Sequence, residues 1–222
     1  MSIALRPYQE TILDKLRAGF AAGHRAQILY LPTGGGKTEV AISLMDTTSK
    51  KCNRAAMVLD RIVLCNQTSA RLTKWNIDHG VMQAGHWRYR PYERIQVCSA
   101  QTLEKRGSFP GLNVLIIDEC HAQRDQTLEF IKNNPDVKVI GLTATPRKLE
   151  ESKNASAEDQ QITANNRKYF GEPVYEYTLI EAQEDGYLAA CEIVKRKASI
   201  DNMVFTREEI LQAGVRDIKT GL

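Results

Sequence analysis

Residues 33 to 38 read Thr-Gly-Gly-Gly-Lys-Thr and directly follow a short apolar run. Successive glycines permit positive φ angles and let backbone N–H groups close around an anion. A lysine placed after them can reach the β- and γ-phosphates of a nucleotide, and a threonine hydroxyl can ligate Mg²⁺. The stretch therefore predicts a phosphate cradle, with Thr38 also a magnesium ligand. The residues of this cradle are Thr33, Gly34, Gly35, Gly36, Lys37 and Thr38.

The stretch alone leaves a second interpretation open. The strict phosphate-loop pattern G-x-x-x-x-G-K-[ST] places a glycine where this chain has Leu31. A glycine turn that happens to precede a surface lysine would also explain these residues. The choice depends on whether the rest of a phosphate site is present.

A pair of adjacent carboxylates supplies that second signal. The apolar run 114–117 is followed by Asp118 and Glu119. A carboxylate at the carboxyl end of a parallel strand next to the phosphate-loop strand can ligate Mg²⁺, and its neighbour can polarise an attacking water. We expect Asp118 to hold the metal through water and Glu119 to act as the base. Such a pair is ordinarily a solvated strand end, but its occurrence with the glycine loop favours one joint site.

The elements that would position these residues follow from hydrophobic spacing. Short runs rich in Val, Ile and Leu alternate with amphipathic segments, which is typical of an α/β fold with a mainly parallel sheet between helices. The predicted strands are 27–31, 55–59, 95–98, 114–117 and 137–142. The predicted helices are 8–18, 37–45, 63–75, 126–132 and a short one within 179–188.

Composition sets limits on the class of protein. The 222 residues are 42% hydrophobic and 26% charged with a net charge of +3, which is ordinary for a globular chain and does not diagnose nucleic-acid binding. No apolar run approaches the roughly 20 residues that span a bilayer. No secretory signal is visible, and the five cysteines form no C-x-x-C pair. We expect a cytoplasmic protein without a membrane partner, a disulfide framework or a zinc site.

The order of the motifs resembles that of the superfamily 2 DExH-type helicases and translocases. Three motifs are jointly specific: GGGKT at 34–38, DECH at 118–121 and LTATP at 142–146. A residue other than glycine at position 31 is normal in this group. The resemblance implies a RecA-like P-loop NTPase domain that uses ATP and Mg²⁺. LRPYQ at 5–9 is similar to the adenine-recognition motif, which implies that Arg6 and Gln9 bind the base.

Further motifs of the same group concern nucleic acid. Residues 59–67 and 98–103 are similar to two motifs that contact phosphates, and LTATP is similar to the motif that couples the ATP site to the nucleic-acid track. Arg61 can instead pair locally on the surface, and serine and threonine also cap helices. The resemblance assigns nucleic-acid contacts to Arg61, Ser99, Gln101 and Thr102, and coupling to Thr143 and Thr145.

Two features carry several interpretations. His121 can be a metal ligand, a general base or a hydrogen-bonding relay, and the resemblance implies a catalytic relay between the ATP state and the coupling motif. Residues 85–94 interleave aromatic side chains with arginines. This composition suits base stacking and phosphate neutralisation. It equally suits a surface connection whose aromatics pack on the domain edge.

The domain organisation follows from these motifs. We expect residues 1–195 to form the first RecA-like domain, with a mobile polar loop at 147–168. Residues 196–222 would lead toward a second motor domain outside this chain. The aromatic-rich segment 169–188 is similar to one in type I restriction motor subunits and related phage or bacterial helicases, which favours DNA over RNA and an intracellular bacterial or phage protein.

The sequence thus predicts the ATP-hydrolysing domain of a nucleic-acid helicase or translocase. Its expected partners are nucleic acid and a second RecA-like domain, in cis or in trans, that supplies an arginine. The alternative is a non-motor ATP-binding module, which has no need for Lys37, Thr38, Asp118 and Glu119 together. Unwinding and translocation without unwinding both stay open. We expect the isolated chain to bind nucleotide weakly and to hydrolyse it slowly or not at all.

Overall fold

The computed structural model describes residues 3–106, 111–120, 125–144, 170 and 174–189. All of them lie within the compact unit Met1–Ala189. The loop predicted at 147–168 and the segment 196–222 lie outside the described residues, as do the predicted site residues His121 and Thr145. The predicted domain boundary at residue 195 therefore stays a prediction.

Strands and helices alternate along the described chain. The strands are β1 (Ala26–Tyr30), β2 (Ala55–Leu59), β3 (Gly80–Met82), β4 (Ile95–Ser99), β5 (Val114–Asp118), β6 (Lys138–Thr143) and β7 (Tyr175–Glu176). The helices are α1 (Pro7–Ala21), α2 (Lys37–Lys50), α3 (Ile62–Lys74), α4 (Ala100–Arg106), α5 (Asp125–Asn133) and α6 (Leu179–Glu184).

The strands form a parallel sheet in the order β3-β4-β2-β5-β6-β1-β7. This confirms the predicted α/β fold with a parallel sheet. One expectation was wrong: β5, which carries the carboxylates, is not next to β1, because β6 pairs with both strands. The carboxylates and the glycine loop are still at the same edge, since parallel strands end on one side of a sheet.

The sheet is covered on both faces. Along its central strands, neighbouring residues belong to different core clusters, as for Leu115 and Ile116 or for Val139 and Ile140. This alternation follows from the two-residue period of a strand, so a near-continuous apolar run serves two cores. Burying each of these side chains contributes about 1.5–3 kcal/mol. One of the two cores includes residues of α1, α2 and α3, and Tyr8 of α1 is part of it.

All five predicted strands are confirmed, and two short strands were missed. β3 has three residues and β7 has two, which is too few for an alternation pattern to register. The free edge of β3 is partly covered, because the N–H of Val81 donates to the carbonyl of Arg88 at 2.9 Å. None of the helices that the structure describes combines the length and apolar composition needed to cross a membrane.

The four described cysteines are free thiols. Cys65, Cys98 and Cys120 are buried, and burial raises the pKa of Cys65 to about 11.

Candidate functional site

The predicted phosphate cradle is the loop between β1 and α2. Gly34 and Gly36 have φ angles of 83° and 79°, and Gly36 is the N-terminal cap of α2. A Cβ atom at Gly36 would lie 2.2 Å from Nε2 of Gln9, and one at Gly35 would lie 3.0 Å from the carbonyl oxygen of Pro32. The positive φ angles favour glycine at positions 34 and 36, and the close approach of the Pro32 carbonyl favours it at position 35. The loop thus brings backbone N–H groups to the start of a helix, where an anion is favoured.

The glycine loop, Gly34 to Gly36 of the phosphate cradle, is held by the start of α1. The Tyr8 hydroxyl donates to the Gly35 carbonyl at 2.8 Å, and Nε2 of Gln9 approaches the same oxygen at 3.4 Å. Oε1 of Gln9 accepts from the N–H of Arg6 at 2.9 Å, and only 3% of Gln9 is exposed. The structure therefore brings Gln9 to the phosphate loop with its amide already bonded. The predicted contact of Arg6 and Gln9 with adenine stays a prediction, and Arg6 is exposed.

A segment far along the chain completes this part of the site. We call residues 177–188 the aromatic clasp. The Tyr177 ring stacks on Tyr8 with centroids 4.3 Å apart, and the Tyr187 ring meets Tyr8 edge-on at 5.1 Å. A Cβ at Gly34 would lie 2.9 Å from Cδ2 of Leu188, so the clasp also touches the glycine loop. Sequence reasoning noted the aromatic residues of this segment but assigned none of them to the site.

The clasp has its own local anchors. The Thr178 side chain accepts from the N–H of Glu181 and so caps α6, and the Glu181 carboxylate accepts from the N–H of Thr178 at 2.7 Å. This reciprocal arrangement is a capping box, and the sequence pattern T-x-x-E is typical of it. The Tyr177 hydroxyl donates to Asp185 at 2.6 Å. The Tyr177 ring is thereby fixed against Tyr8.

The two carboxylates lie at the end of β5. Asp118 is its last residue, and Glu119 adopts a left-handed φ of 47°, which is uncommon for a residue other than glycine. Burial and, second, the charge of Glu119 raise the pKa of Asp118 to about 6. The charge of Lys37 lowers the same pKa, so the lysine is within electrostatic reach of the carboxylate. The structure thus brings Lys37, Asp118 and Glu119 together, although one strand separates β5 from β1.

These residues fit a nucleotide with Mg²⁺. A half-buried carboxylate whose charge is disfavoured beside a second one gains from a divalent cation. Among the described residues, no group of three or more His, Cys, Asp or Glu side chains is placed to hold a metal. Mg²⁺ suits such a sparse site, because it is commonly bound by one or two protein groups together with waters and substrate phosphates. Asp118 and Thr38 are the residues that would hold it.

A backbone network links the carboxylates to the glycine loop. The N–H of Cys120 donates to the carbonyl of Leu142 at 3.0 Å, and the N–H of Leu31 donates to the carbonyl of Thr143 at 3.1 Å. Thr143 is fully buried. A Cβ at Gly141 would lie 2.8 Å from Sγ of Cys120, so the turn after β5 packs closely on β6. The end of β6 therefore contacts both halves of the nucleotide site, which supports the predicted coupling role of Thr143.

The predicted nucleic-acid residues lie at or after the ends of β2 and β4, at the same edge of the sheet. Arg61 is the exposed N-terminal cap residue of α3, and Gln101 is exposed in the first turn of α4. Ser99 and Thr102 are only 1% and 7% exposed. The Thr102 hydroxyl accepts from the N–H of Ala84 at 3.2 Å. Arg61 and Gln101 are thus accessible to a ligand, whereas phosphate contacts by Ser99 and Thr102 stay predictions that their burial does not favour.

The sequence is similar to those of restriction enzyme subunits. The family model described as "Type III restriction enzyme, res subunit" matches residues 2–148. The Type I restriction enzyme EcoAI endonuclease subunit of Escherichia coli is 27% identical over 211 residues, which cover 88% of this chain and 24% of that protein. The chain therefore spans about a quarter of the length of this curated relative.

Solved structures give the same fold. The structure of a nuclease-deletion mutant of the Type ISP restriction-modification enzyme LlaGI, in complex with a DNA substrate mimic, matches with a TM-score of 0.60 at 20% identity. The match covers 83% of this chain and 21% of that one. A fragment of a putative HsdR subunit of a type I restriction enzyme from Vibrio vulnificus YJ016 matches with a TM-score of 0.58 at 20% identity, covering 82% and 32%. These likenesses confirm the RecA-like fold.

Proposed function

This chain belongs to the family of the type III restriction enzyme res subunit, and from that premise we propose that it is the ATP-binding and ATP-hydrolysing domain of a DNA helicase or translocase. One observation carries the proposal. The glycine loop, Lys37 and the Asp118–Glu119 pair meet at one edge of the sheet, although they are about 80 residues apart in sequence. A strand end that was merely solvated would not be half-buried within reach of that lysine.

Each part of the site has a task in phosphoryl transfer. The N–H groups of the glycine loop and the Lys37 ammonium hold the β- and γ-phosphates. Asp118 and Thr38 would hold Mg²⁺, which would neutralise charge on the phosphate oxygens. Glu119 orients the attacking water and accepts its proton. His121, as the resemblance implies, relays the state of the ATP site to the coupling residues Thr143 and Thr145.

The proposed partner is DNA. Arg61 and Gln101 are exposed at the edge of the sheet that also carries the nucleotide site, and they offer a charged donor and an amide to a phosphate backbone. The LlaGI structure that shares this fold is in complex with a DNA substrate mimic. We further propose that a second RecA-like domain, in cis or in trans, supplies the arginine that completes the hydrolytic site.

Calorimetric titration of the 222-residue chain with ATP in excess Mg²⁺ tests the nucleotide site. We expect Lys37→Ala to lower the affinity for ATP at least tenfold, because the substitution removes a charge-assisted contact to phosphate. Lys50→Ala is the matched control, since Lys50 lies at the opposite end of α2 and pairs with Asp46 on the surface. That variant should bind ATP like the wild type. Equal affinity of Lys37→Ala and the wild type would overturn the ATPase proposal.

A further inference from the structure

The connection between β3 and β4 presents large aromatic side chains to solvent. Trp87 is 76% exposed, Tyr89 is 48% exposed and Tyr92 is 70% exposed. Large aromatics ordinarily bury most of their surface, so several on one connection indicate a binding function. Packing on the domain edge, which was one interpretation of the sequence, does not describe Trp87.

Arginines accompany two of these rings. The Arg88 guanidinium lies 4.7 Å from the centroid of the Trp87 ring, and that of Arg106 lies 4.9 Å from the Tyr89 ring. The His86 ring lies parallel to Trp87 at 5.9 Å. Burial and the charge of Arg88 lower the pKa of His86, so the positive charge here comes from the arginines. We call His86, Trp87, Arg88, Tyr89 and Arg106 the aromatic–arginine patch.

Hydrogen bonds fix the patch beside the proposed DNA contact. The N–H of Ala84 donates to the Thr102 hydroxyl in the first turn of α4, and Arg88 is bonded through its carbonyl to the N–H of Val81. The connection that carries the patch therefore starts against the first turn of α4, the turn that also contains Gln101. Tyr92 lies at the other end of the connection, where it lines a surface pocket with Trp75 and Asp78. Trp87 and Tyr92 thus have different surroundings on one connection.

We propose that the aromatic–arginine patch is an additional nucleic-acid contact, in which Trp87 stacks on an unpaired base while Arg88 and Arg106 neutralise neighbouring phosphates. The inference rests on the proposed function and extends its DNA surface beyond Arg61 and Gln101. Stacking on an aromatic ring suits every base, because each has a π face, and the arginines add affinity without reading sequence. The base is unpaired, since bases within a duplex offer their faces only to each other.

Fluorescence anisotropy with a labelled oligothymidylate of about 12 nucleotides tests the contact at about 50 mM salt, where phosphate contacts are strong. We expect Trp87→Ala to bind about fivefold more weakly than the wild type, or weaker still. Tyr92→Ala is the matched control, because it removes an equally exposed aromatic from the same connection. Its affinity should equal that of the wild type.

A probe of the same length with abasic sites separates stacking from a structural role. Without bases, the wild type and Trp87→Ala should bind equally. A loss of affinity by the variant for both probes would indicate a distorted surface and overturn the stacking proposal.

The outcomes also separate this inference from the proposed function. If Trp87→Ala binds oligothymidylate like the wild type while Arg61→Ala binds more weakly, the patch proposal is overturned and the DNA domain stands. A patch that docks a protein partner would give that result. If the wild type binds neither the oligonucleotide nor a duplex at this salt concentration, the DNA assignment fails and the patch proposal fails with it.

Discussion

Asp118 illustrates how a functional residue can oppose folding. Burial, and then the neighbouring Glu119, raise its pKa from the usual 3.8 to about 6. The folded chain therefore holds this proton more tightly than the unfolded chain does. Between about pH 4 and pH 6 the unfolded state loses the proton first, so Asp118 lowers stability as the pH rises and the full effect is present above pH 6.

We predict that Asp118→Asn makes the metal-free chain more stable at pH 7, by on the order of 3 kcal/mol, because each pKa unit corresponds to about 1.4 kcal/mol. Urea unfolding in the presence of a chelator at pH 4, 5, 6 and 7 measures the difference. The difference in unfolding free energy between variant and wild type should be small at pH 4 and should grow up to about pH 6. A gap that does not change with pH would contradict the assigned environment of Asp118.

At this scale, the sequence predicted residues whose role depends on their immediate neighbours. The glycines and Lys37 lie together in one short segment, and the carboxylates were assigned to the same site because they occur in the same chain as that segment. The burial of Gln9 against Gly35 was not predictable in this way, because it depends on α1 packing under a loop about 26 residues further along. The same holds for Thr102, whose hydroxyl bonds to Ala84.

The aromatic clasp packs on the proposed nucleotide site, although the sequence did not assign its residues there. β7 pairs with β1, with Tyr175 opposite Leu29, and this brings residues 177–188 onto Tyr8 and Gly34. The segment is more than 140 residues from the glycine loop in sequence. Stacked rings of this kind contribute about 0.5–1.5 kcal/mol beyond the area that they bury.

Two matched substitutions test what the clasp does. Tyr8→Phe removes the hydrogen bond to the Gly35 carbonyl but keeps the ring stack, so we expect ATP to bind several-fold more weakly and stability to fall by about 1 kcal/mol. Tyr177→Phe removes the bond to Asp185 and should lower stability alone. Calorimetry and urea unfolding of both variants measure the two effects. Equal ATP affinity of Tyr8→Phe and the wild type would show that the loop does not need this support.

Elements were predictable where they are long and buried. The five central strands have five or six residues each, whereas β3 and β7 are edge strands of three and two residues. The order of strands was not predictable from the motifs. The carboxylates were expected next to the glycine-loop strand, and β6 lies between them.

In the described sheet, the proposed sites for ATP and for DNA lie at different parts of one edge. The proposed nucleotide site follows β1 and β5, the proposed DNA residues follow β2 and β4, and Thr143 ends β6 between β5 and β1. Hydrogen bonds from Cys120 and Leu31 to the end of β6 join both halves of the nucleotide site. A change at the phosphates can therefore reach the carboxylate strand through backbone contacts.

The central claim is that this chain holds the nucleotide, whereas turnover requires the arginine of a second RecA-like domain. Phosphate release by the 222-residue chain at saturating ATP and Mg²⁺, with and without DNA, tests it most directly. We expect release no faster than that of Lys37→Ala and no stimulation by DNA, although the wild type binds ATP more tightly than that variant does. DNA-stimulated turnover at about 1 s⁻¹ or faster, which is an ordinary enzymatic rate, would contradict the claim.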